Sequence, residues 1–543
     1  MTGRRNAALV AAGILLSRLA GLVREVAIAR YLGVGAAVDA FRAALRIPNL
    51  LQNLLGEGVL SASFIPVYSR LLGDDEEEAG RVAGAVAGLL AALAGTLALI
   101  GVVLARPITV ALTPGFEGDR LDLTVTLTRI MFPGVGLLVL SAWCLGILNS
   151  HRRFFLSYVA PVLWNGAQIA VLVALGVRGW GNRDLAVALA WGAFAGGGLQ
   201  LAVQLPAVRR LAGRVRVSLR TDLPGVRTAV RQFLPVVAGR GVVQLSAYVD
   251  LLLASLLAVG AVSAIGFAQV FYLLPISLFG MSVAAAELPE LSQRADDAGE
   301  VRRRLQDGLA RISFYVLPCT AIYLVAGDLV VGALLQTGEF GAADTRLVWL
   351  VLAGFSVGLL ATTASRLLQS SLYAMGDART PARVAALRVV LAAAVGVVLM
   401  FQLDRVAIDG AGFDVGDLPA ALEPLPRSVR DDPDQLRLGA VGLAVAAGTM
   451  AWLELVLLRR RVVALVGPVQ LGGGVLGRSA VAAGVAAAVA ALLRQLVLDL
   501  PTIPAALLAL VPAALVYLVM ASALGLAEAA ALTRPLRRFG SRG

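Results

Sequence analysis

The chain has 543 residues, of which 59% are hydrophobic and only 15% charged, and its mean hydropathy is +0.83. A soluble domain carries roughly 25% charged residues, and because apolar runs recur from end to end, a single globular core with one membrane anchor is excluded. The formal net charge of +12 is the difference between 47 arginines, with no lysine, and 35 acids. We interpret this excess of arginine as a signal of membrane topology, so no nucleic-acid partner is expected.

Cysteine and histidine are scarce in this sequence. Cys144 and Cys319 both lie in apolar runs, so no disulfide framework is predicted, and the single histidine, His151, argues against histidine-based metal sites and catalysis. We therefore expect no metal, no cofactor and no enzymatic reaction.

Apolar runs of membrane-spanning length predict an all-α polytopic membrane protein. Each span needs about 20 residues, and the runs between charge clusters and Gly/Pro breaks give fourteen of them. The first run carries Arg18 and Arg24 and is interpreted as an uncleaved span rather than a signal peptide. The predicted spans lie near 7–31, 36–69, 82–105, 123–149, 154–176, 185–206, 226–258, 262–292, 305–326, 344–375, 380–402, 437–458, 475–494 and 503–525.

The arginines favour one orientation of these spans. With the N-terminus in the cytoplasm, cytoplasmic segments hold 28 arginines and outside segments hold 11, which follows the positive-inside rule and predicts that both termini are cytoplasmic. The other eight fall inside predicted spans, where each costs about 2.5–3.5 kcal/mol unless it faces protein or water. They are Arg18, Arg24, Arg42, Arg46, Arg129, Arg240, Arg366 and Arg388.

Spans 1 and 2 each carry polar residues along one face, which cannot face lipid. These residues are Ser17, Arg18, Arg24, Glu25, Asp39, Arg42, Arg46, Asn49, Asn53 and Glu57. Pro48 is expected to kink span 2 or to open its backbone. One interpretation is a solid bundle in which Arg24 pairs with Glu25 or Glu57. Because the arginines outnumber the acids, we prefer a water-filled cationic cavity that binds a phosphate or carboxylate.

Polar residues in later spans are weaker candidates. Asn165, Arg240 and Asp250 are candidate lining residues, and Asp250 is a weak candidate for a cation site. Glu287 and Glu290 are better explained as helix-end residues whose side chains reach the interface. Glycines spaced by four residues, at 80, 84 and 88 and at 192 and 196, predict close helix packing.

Three segments have the character of extended family motifs. They are "SRLAGLVREVAIARYLGVGAAVDAFRAALRIPNLLQNLLGEGVLSASFIPVYSR" (17–70), "LNSHRRFFLSYVAPVLWN" (148–165) and "LYAMGDARTPAR" (372–383). All three resemble the MurJ/MviN lipid II flippase family. The resemblance implies the fold of the MOP exporter superfamily, with two six-helix lobes around a central cavity plus two C-terminal helices. Spans 1–6 would form the lobe 1–225, spans 7–12 the lobe 226–460, and residues 461–543 would hold spans 13 and 14 and a basic cytoplasmic tail.

The resemblance also implies a substrate and a place in the cell. The substrate would be lipid II, which is undecaprenyl diphosphate carrying a disaccharide-pentapeptide. It would be flipped from the cytoplasmic to the outer leaflet of the bacterial cytoplasmic (inner) membrane by alternating access, with membrane lipids as the other partners. By motif, the arginines would hold the diphosphate, within a substrate-binding set of Ser17, Arg18, Arg24, Glu25, Asp39, Arg46, Glu57 and Asn165.

The sequence departs from the family pattern where basic residues would be expected. Gln52 stands at such a place in span 2, and Gln269 and Val270 stand at another in span 8. We expect Arg42 and Arg240 to supply the missing charge, and both join the predicted substrate-binding set.

Voltage is the expected driving force, since no nucleotide site is predicted. Each charge that crosses the membrane field gains or loses about 2.3 kcal/mol per 100 mV, so a negative interior favours outward movement of an anionic head group. Sodium coupling is not expected, because span 11 offers Arg388 instead of oxygen ligands.

Two other functions stay open at this point. One is another MOP-type flippase, for a polysaccharide-linked lipid. The other is a membrane glycosyltransferase, which would need clustered carboxylates and large loops.

The outside segment 403–436 is unusually acidic. The segment contains eight acids and three arginines, and this composition predicts a solvated, partly disordered loop.

Overall fold

The computed structural model describes residues 2–212, 215–283, 297–410, 412–418, 421–470, 473–497 and 499–530. Its contacts divide the chain into two compact units, Met1–Leu256 and Leu257–Gly543. The sequence predicts a lobe boundary near residue 225. The helix that follows this position packs against unit 1, so the division between the compact units falls one span later.

Unit 1 is built from helices in its described residues. They are α1 (Thr2–Leu32), α2 (Ala36–Leu55), α3 (Glu57–Ser63), α4 (Ile65–Asp74), α5 (Glu76–Val103), α6 (Ala105–Leu112), α7 (Gly118–Ser150), α8 (Phe154–Gly176), α9 (Asn182–Leu211) and α10 (Pro224–Ser255). Helix α7 contacts α2, α5 and α9, so it forms the centre of the unit.

Unit 2 combines helices with one small sheet. Its elements are α11 (Ala261–Pro275), a π-helical turn (Ile276–Met281), α12 (Ala298–Leu335), α13 (Ala342–Ser356), α14 (Leu359–Ala374), α15 (Arg379–Leu403), β1 (Val406–Asp409), β2 (Gly412–Val415), α16 (Arg427–Arg430), α17 (Gly439–Val466), α18 (Gly473–Leu496) and α19 (Thr502–Ala523). Helix α17 packs on α13, α14 and α15, while α18 and α19 pack on each other and on α12.

Most of the predicted spans are present as apolar helices. In the described residues, eleven helical segments are long and apolar enough to cross a membrane, and the pair α13–α14, bent by 45°, makes a twelfth. These coincide with predicted spans 2–6 and 8–14. Predicted spans 1 and 7 coincide with α1 and α10, which lie outside that count. The all-α polytopic class is confirmed, and the number fourteen stays a prediction.

Predicted span 2 breaks at a glycine rather than at its proline. Helix α2 continues through Pro48 and ends at Leu55, where Gly56 takes an extended ψ of −153°. A Cβ on Gly56 would lie 2.3 Å from the carbonyl oxygen of Gln52, so a side chain cannot be placed there. The chain resumes as α3 and α4, and the prediction that Pro48 kinks span 2 or opens its backbone stays a prediction.

The two sets of glycines spaced by four residues pack against different parts of the chain. A Cβ on Gly196 would lie 2.8 Å from the carbonyl oxygen of Trp164, so the predicted helix packing is confirmed between α8 and α9. The prediction is wrong for Gly84 and Gly88 of α5. A Cβ on either would lie 2.1 Å from a carbonyl oxygen of the connecting segment 215–222, because this segment crosses the helix there. Small residues admit any close backbone, so their spacing does not identify the partner.

The acidic segment 403–436 folds where the sequence predicts a partly disordered loop. Strands β1 and β2 pair antiparallel, and the backbone N–H of Val259 donates to the carbonyl of Arg430 at 2.9 Å. The prediction gave weight to the acidic composition and not to a few apolar residues that anchor the segment. These are Val406, Ala407, Leu425 and Leu436, all at most 9% exposed. The segment is therefore folded at these anchors, while β2 and residues 416–418 are exposed, as expected of a solvated segment.

Candidate substrate-binding site

Two arginines of unit 1 share one carboxylate. Glu25 of α1 is 6% exposed and accepts hydrogen bonds from Arg24 Nη2 at 2.6 Å and from Arg42 Nη2 of α2 at 2.7 Å. Spacings of three and four residues place Ser17, Gly21 and Arg24 on one face of α1. The pairing of Arg24 with Glu25 is one that the solid-bundle interpretation allows. Arg42 joins the same carboxylate, which leaves this triad, Arg24–Glu25–Arg42, with one surplus positive charge.

Helix α8 brings an aromatic ring to the triad and carries two buried amides close to that ring in the sequence. The Arg24 guanidinium carbon lies 5.0 Å from the ring centroid of Trp164, a cation–π contact. The adjacent Asn165 is buried and donates to the Pro161 carbonyl at 3.1 Å, and Gln168, fully buried one turn later, donates to the Trp164 carbonyl at 3.1 Å. Within the described structure both amide oxygens lack a hydrogen-bond partner. Gln168 was missed because a lone glutamine in an apolar run carries no periodic signal.

Arg46 extends the cationic face of α2. It lies one helical turn after Arg42, and its backbone carbonyl accepts a hydrogen bond from the Tyr248 hydroxyl of α10 at 2.9 Å. Asp250 lies within electrostatic range of the Arg46 guanidinium. Arg46 therefore offsets part of the Asp250 charge, and the weakly predicted cation site at Asp250 stays a prediction. Among the described residues no group of three or more His, Cys, Asp or Glu could hold a metal ion.

Asp39 belongs to a different arrangement. It is 0% exposed, and one of its carboxylate oxygens accepts a hydrogen bond from Arg120 Nη2 of α7 at 2.7 Å. Arg120 also covers the ring of Phe116, 3.8 Å from its centroid. Predicted span 4 begins at residue 123, so Arg120 counts among the 11 predicted outside arginines, whereas the structure buries it in the first turn of α7. The observed contact of Asp39 is this closed pair, which ties α2 to α7.

The remaining predicted site residues lie at different places. Ser17 is half-buried and Arg18 exposed on α1, while Gln52, Gln269 and Val270 are half-buried on α2 and α11. The side chains of Glu57 and Arg240 lie outside the described part of the structure, as do Glu287 and Glu290 entirely.

Positive charge exceeds negative charge among the described candidate residues of unit 1. Four arginines, Arg18, Arg24, Arg42 and Arg46, compare with Glu25 and Asp250, while Asp39 is paired with Arg120. A guanidinium presents a planar fork of N–H donors that matches phosphate or carboxylate oxygens. This part of unit 1 is chemically suited to hold an anion.

The family comparison covers most of the chain. The family described as Lipid II flippase MurJ matches residues 28–412. The lipid II flippase MurJ of Burkholderia cenocepacia is 32% identical over 403 residues, covering 72% of this chain and 75% of that protein. The probable lipid II flippase MurJ of Bdellovibrio bacteriovorus is 31% identical, covering 75% of this chain and 79% of that protein. The family match begins at residue 28, after Glu25. The candidate role of the polar face of α1 therefore depends on the structure and on the motif resemblance.

Solved structures agree on the fold. A lipid II flippase MurJ in an inward closed conformation superposes with a TM-score of 0.72 at 19% identity, covering 97% of this chain and 99% of that one. An inward-facing multidrug-resistance MATE transporter of the MOP superfamily gives 0.62 at 18% identity, covering 83% and 95%. With the family match and the apolar helices, the conclusion is that this multi-pass membrane chain belongs to the lipid II flippase MurJ family, whose members are transporters and not enzymes.

Proposed function

We propose that this chain flips lipid II from the cytoplasmic to the outer leaflet by alternating access, with the arginines of α1 and α2 holding the diphosphate. Family membership supports the substrate, because the relatives are named as lipid II flippases. The observation that carries the site is the Arg24–Glu25–Arg42 triad, in which one buried carboxylate is shared by two guanidiniums.

The triad is a pre-organised anion receptor. Glu25 holds the two guanidiniums in fixed positions, and the Trp164 ring supports that of Arg24. The arginine side chains are 15% and 16% exposed, so each is partly accessible to a ligand, although the Nε atoms of both are buried. A phosphate oxygen that enters between them replaces water with charge-assisted hydrogen bonds, each worth about 1.5–3 kcal/mol.

The membrane potential is the proposed energy source. A diphosphate head group that moves outward from a negative interior gains about 2.3 kcal/mol per net charge per 100 mV. The emptied cationic site is drawn back inward by the same field. This cycle, with both termini cytoplasmic, requires no nucleotide. Lipid II export that persists unchanged after the potential is collapsed would contradict this part of the proposal.

The decisive experiment is rescue of bacterial cells depleted of their own lipid II flippase. The readout is labelled lipid II in the outer leaflet, compared for the native chain, Arg24→Gln and the control Arg183→Gln, whose side chain is exposed at the start of α9. We expect the native chain and the control to restore export, and Arg24→Gln to lower it about tenfold or more, since at least one charge-assisted hydrogen bond is lost.

Failure of the native chain to restore export, when it is made and inserted, would overturn the assignment of lipid II. A flippase for a polysaccharide-linked lipid would then be the better interpretation. Transfer of a labelled sugar from a lipid carrier would instead support a glycosyltransferase.

A further inference from the structure

Unit 2 contains a polar cluster of its own, separate from the triad. Glu454 of α17 is 3% exposed and accepts hydrogen bonds from Arg388 Nη1 of α15 at 2.6 Å and from Gln369 Nε2 of α14 at 2.8 Å. Both carboxylate oxygens are thereby engaged. The cluster thus joins three helices through one buried acid.

A second arginine lies beside this cluster. Arg366 of α14 is exposed, and no described residue forms an ion pair or hydrogen bond with its side chain. The Tyr272 hydroxyl of α11, which donates to Thr362 at 3.0 Å, is within electrostatic range of Arg366, Arg388 and Glu454. One carboxylate thus stands against two guanidiniums, and the cluster carries one surplus positive charge.

The depth of the cluster argues against an interfacial role. Arg366 lies eight residues before the end of α14 and Arg388 nine residues after the start of α15, so at 1.5 Å per residue both are about 12–14 Å inside their helices. An unpaired guanidinium at such depth is costly unless it meets water or an anion. Its planar fork suits an oxyanion.

We propose that Arg366, with the N–H donors of Arg388 that do not bind Glu454 and the Thr362 hydroxyl, which accepts from Tyr272 and can donate its own proton, forms a second oxyanion-binding site in unit 2. Its ligand is a phosphate or carboxylate of the transported lipid, and this identification rests on the proposed function. The Arg388 side chain is 27% exposed, so it retains accessible N–H donors after pairing with Glu454. Glu454 positions Arg388 and does not itself contact the anion.

The test measures binding of lipid II and of undecaprenyl diphosphate to the purified full-length chain in nanodiscs. The variants are Arg366→Gln, Arg366→Lys, Arg24→Gln and the control Arg183→Gln. Arg366 is exposed, so its replacement leaves no buried partner and the fold is retained, which thermal unfolding checks. We expect Arg366→Gln to weaken lipid II binding about tenfold, Arg366→Lys to restore most of it and the control to bind as the native chain does.

The two lipids identify the anionic group. Equal weakening of both by Arg366→Gln identifies the diphosphate, whereas weakening of lipid II alone identifies a carboxylate of the peptide. Native binding of both lipids by Arg366→Gln, together with weak binding by Arg24→Gln, would overturn the second site and leave the proposed function intact. If the native chain binds neither lipid, the proposed function and the second site both fail.

Discussion

Two carboxylates on neighbouring helices of unit 1 show how similar residues take different roles. Asp39 and Arg120 form an ion pair whose side chains are 0% and 4% exposed. Glu25 is shared by Arg24 and Arg42, whose side chains are 15% and 16% exposed. The first pair is neutral and buried, and the second arrangement has one surplus positive charge and partly exposed side chains. The ratio of cations to acids, and not burial alone, distinguishes a structural pair from a candidate binding site.

The largest expected effect comes from breaking the closed pair. Arg120→Met leaves the Asp39 carboxylate buried without its cation, which should lower the free energy of unfolding by about 3–5 kcal/mol. Thermal unfolding in detergent measures this change. The control is Arg106→Met, because Arg106 and Asp122 form an exposed pair, 60% and 53%, worth about 1 kcal/mol or less.

The double variant Arg120→Met with Asp39→Leu should recover most of this loss, since no unpaired charge then remains. A loss for Arg120→Met no larger than that for Arg106→Met would show that the pair is not a structural tie between α2 and α7.

A third buried carboxylate, Asp404, extends the comparison, because no arginine forms a direct ion pair with it in the described structure. Asp404 is 1% exposed and accepts one hydrogen bond, from the Ala258 N–H at 3.4 Å, while Arg437, Arg405 and Arg430 act on it from a distance. Burial raises the pKa of Asp404 to about 6, although the backbone N–H and the arginines lower it.

The sign of the resulting pH dependence follows from proton binding. Between about pH 4 and pH 6 the folded state binds a proton that the unfolded state has lost, so stability falls as pH rises through this window. Asp404→Asn should abolish that slope and stabilise the protein at pH 7.5 by about 1–3 kcal/mol. Melting temperatures at pH 5 and pH 7.5 measure it. A native protein that is equally stable at both values, or an Asn variant that keeps the slope, would refute this origin.

The smallest expected effect comes from Glu25→Gln, which tests the role of the acid that Arg24 and Arg42 share. Glu25→Gln removes the charge that the two arginines of the triad share, so their donors become more available to an anion. Undecaprenyl diphosphate should bind a few-fold more tightly, while the fold loses part of two charge-assisted hydrogen bonds. Binding to the purified chain is the measurement, with Arg183→Gln as the control. Weaker binding by a folded Glu25→Gln protein would contradict this expectation and show that holding the two guanidiniums in position matters more for binding than the charge that Glu25 neutralises.

Composition and periodicity determined the class of this protein. The apolar runs specify membrane helices because the hydrocarbon core admits only segments that satisfy their own backbone hydrogen bonds. Arginines inside such runs on α1 and α2 identified the candidate anion site for the same reason, since a charge at that depth must face water, protein or ligand.

Only the tertiary structure decided which charges pair. Arg120 looked like a loop residue and became the partner of Asp39, while Glu25 acquired Arg42 from seventeen positions away. Gly84 and Gly88 met a connecting segment and not a helix, and the acidic segment 403–436 folded against the start of α11. The sequence shows which residues need a neighbour, because a buried charge requires a counter-charge and a glycine leaves space for a close backbone contact. Which neighbour meets that need depends on contacts between residues far apart in the chain, and those exist only after the helices pack.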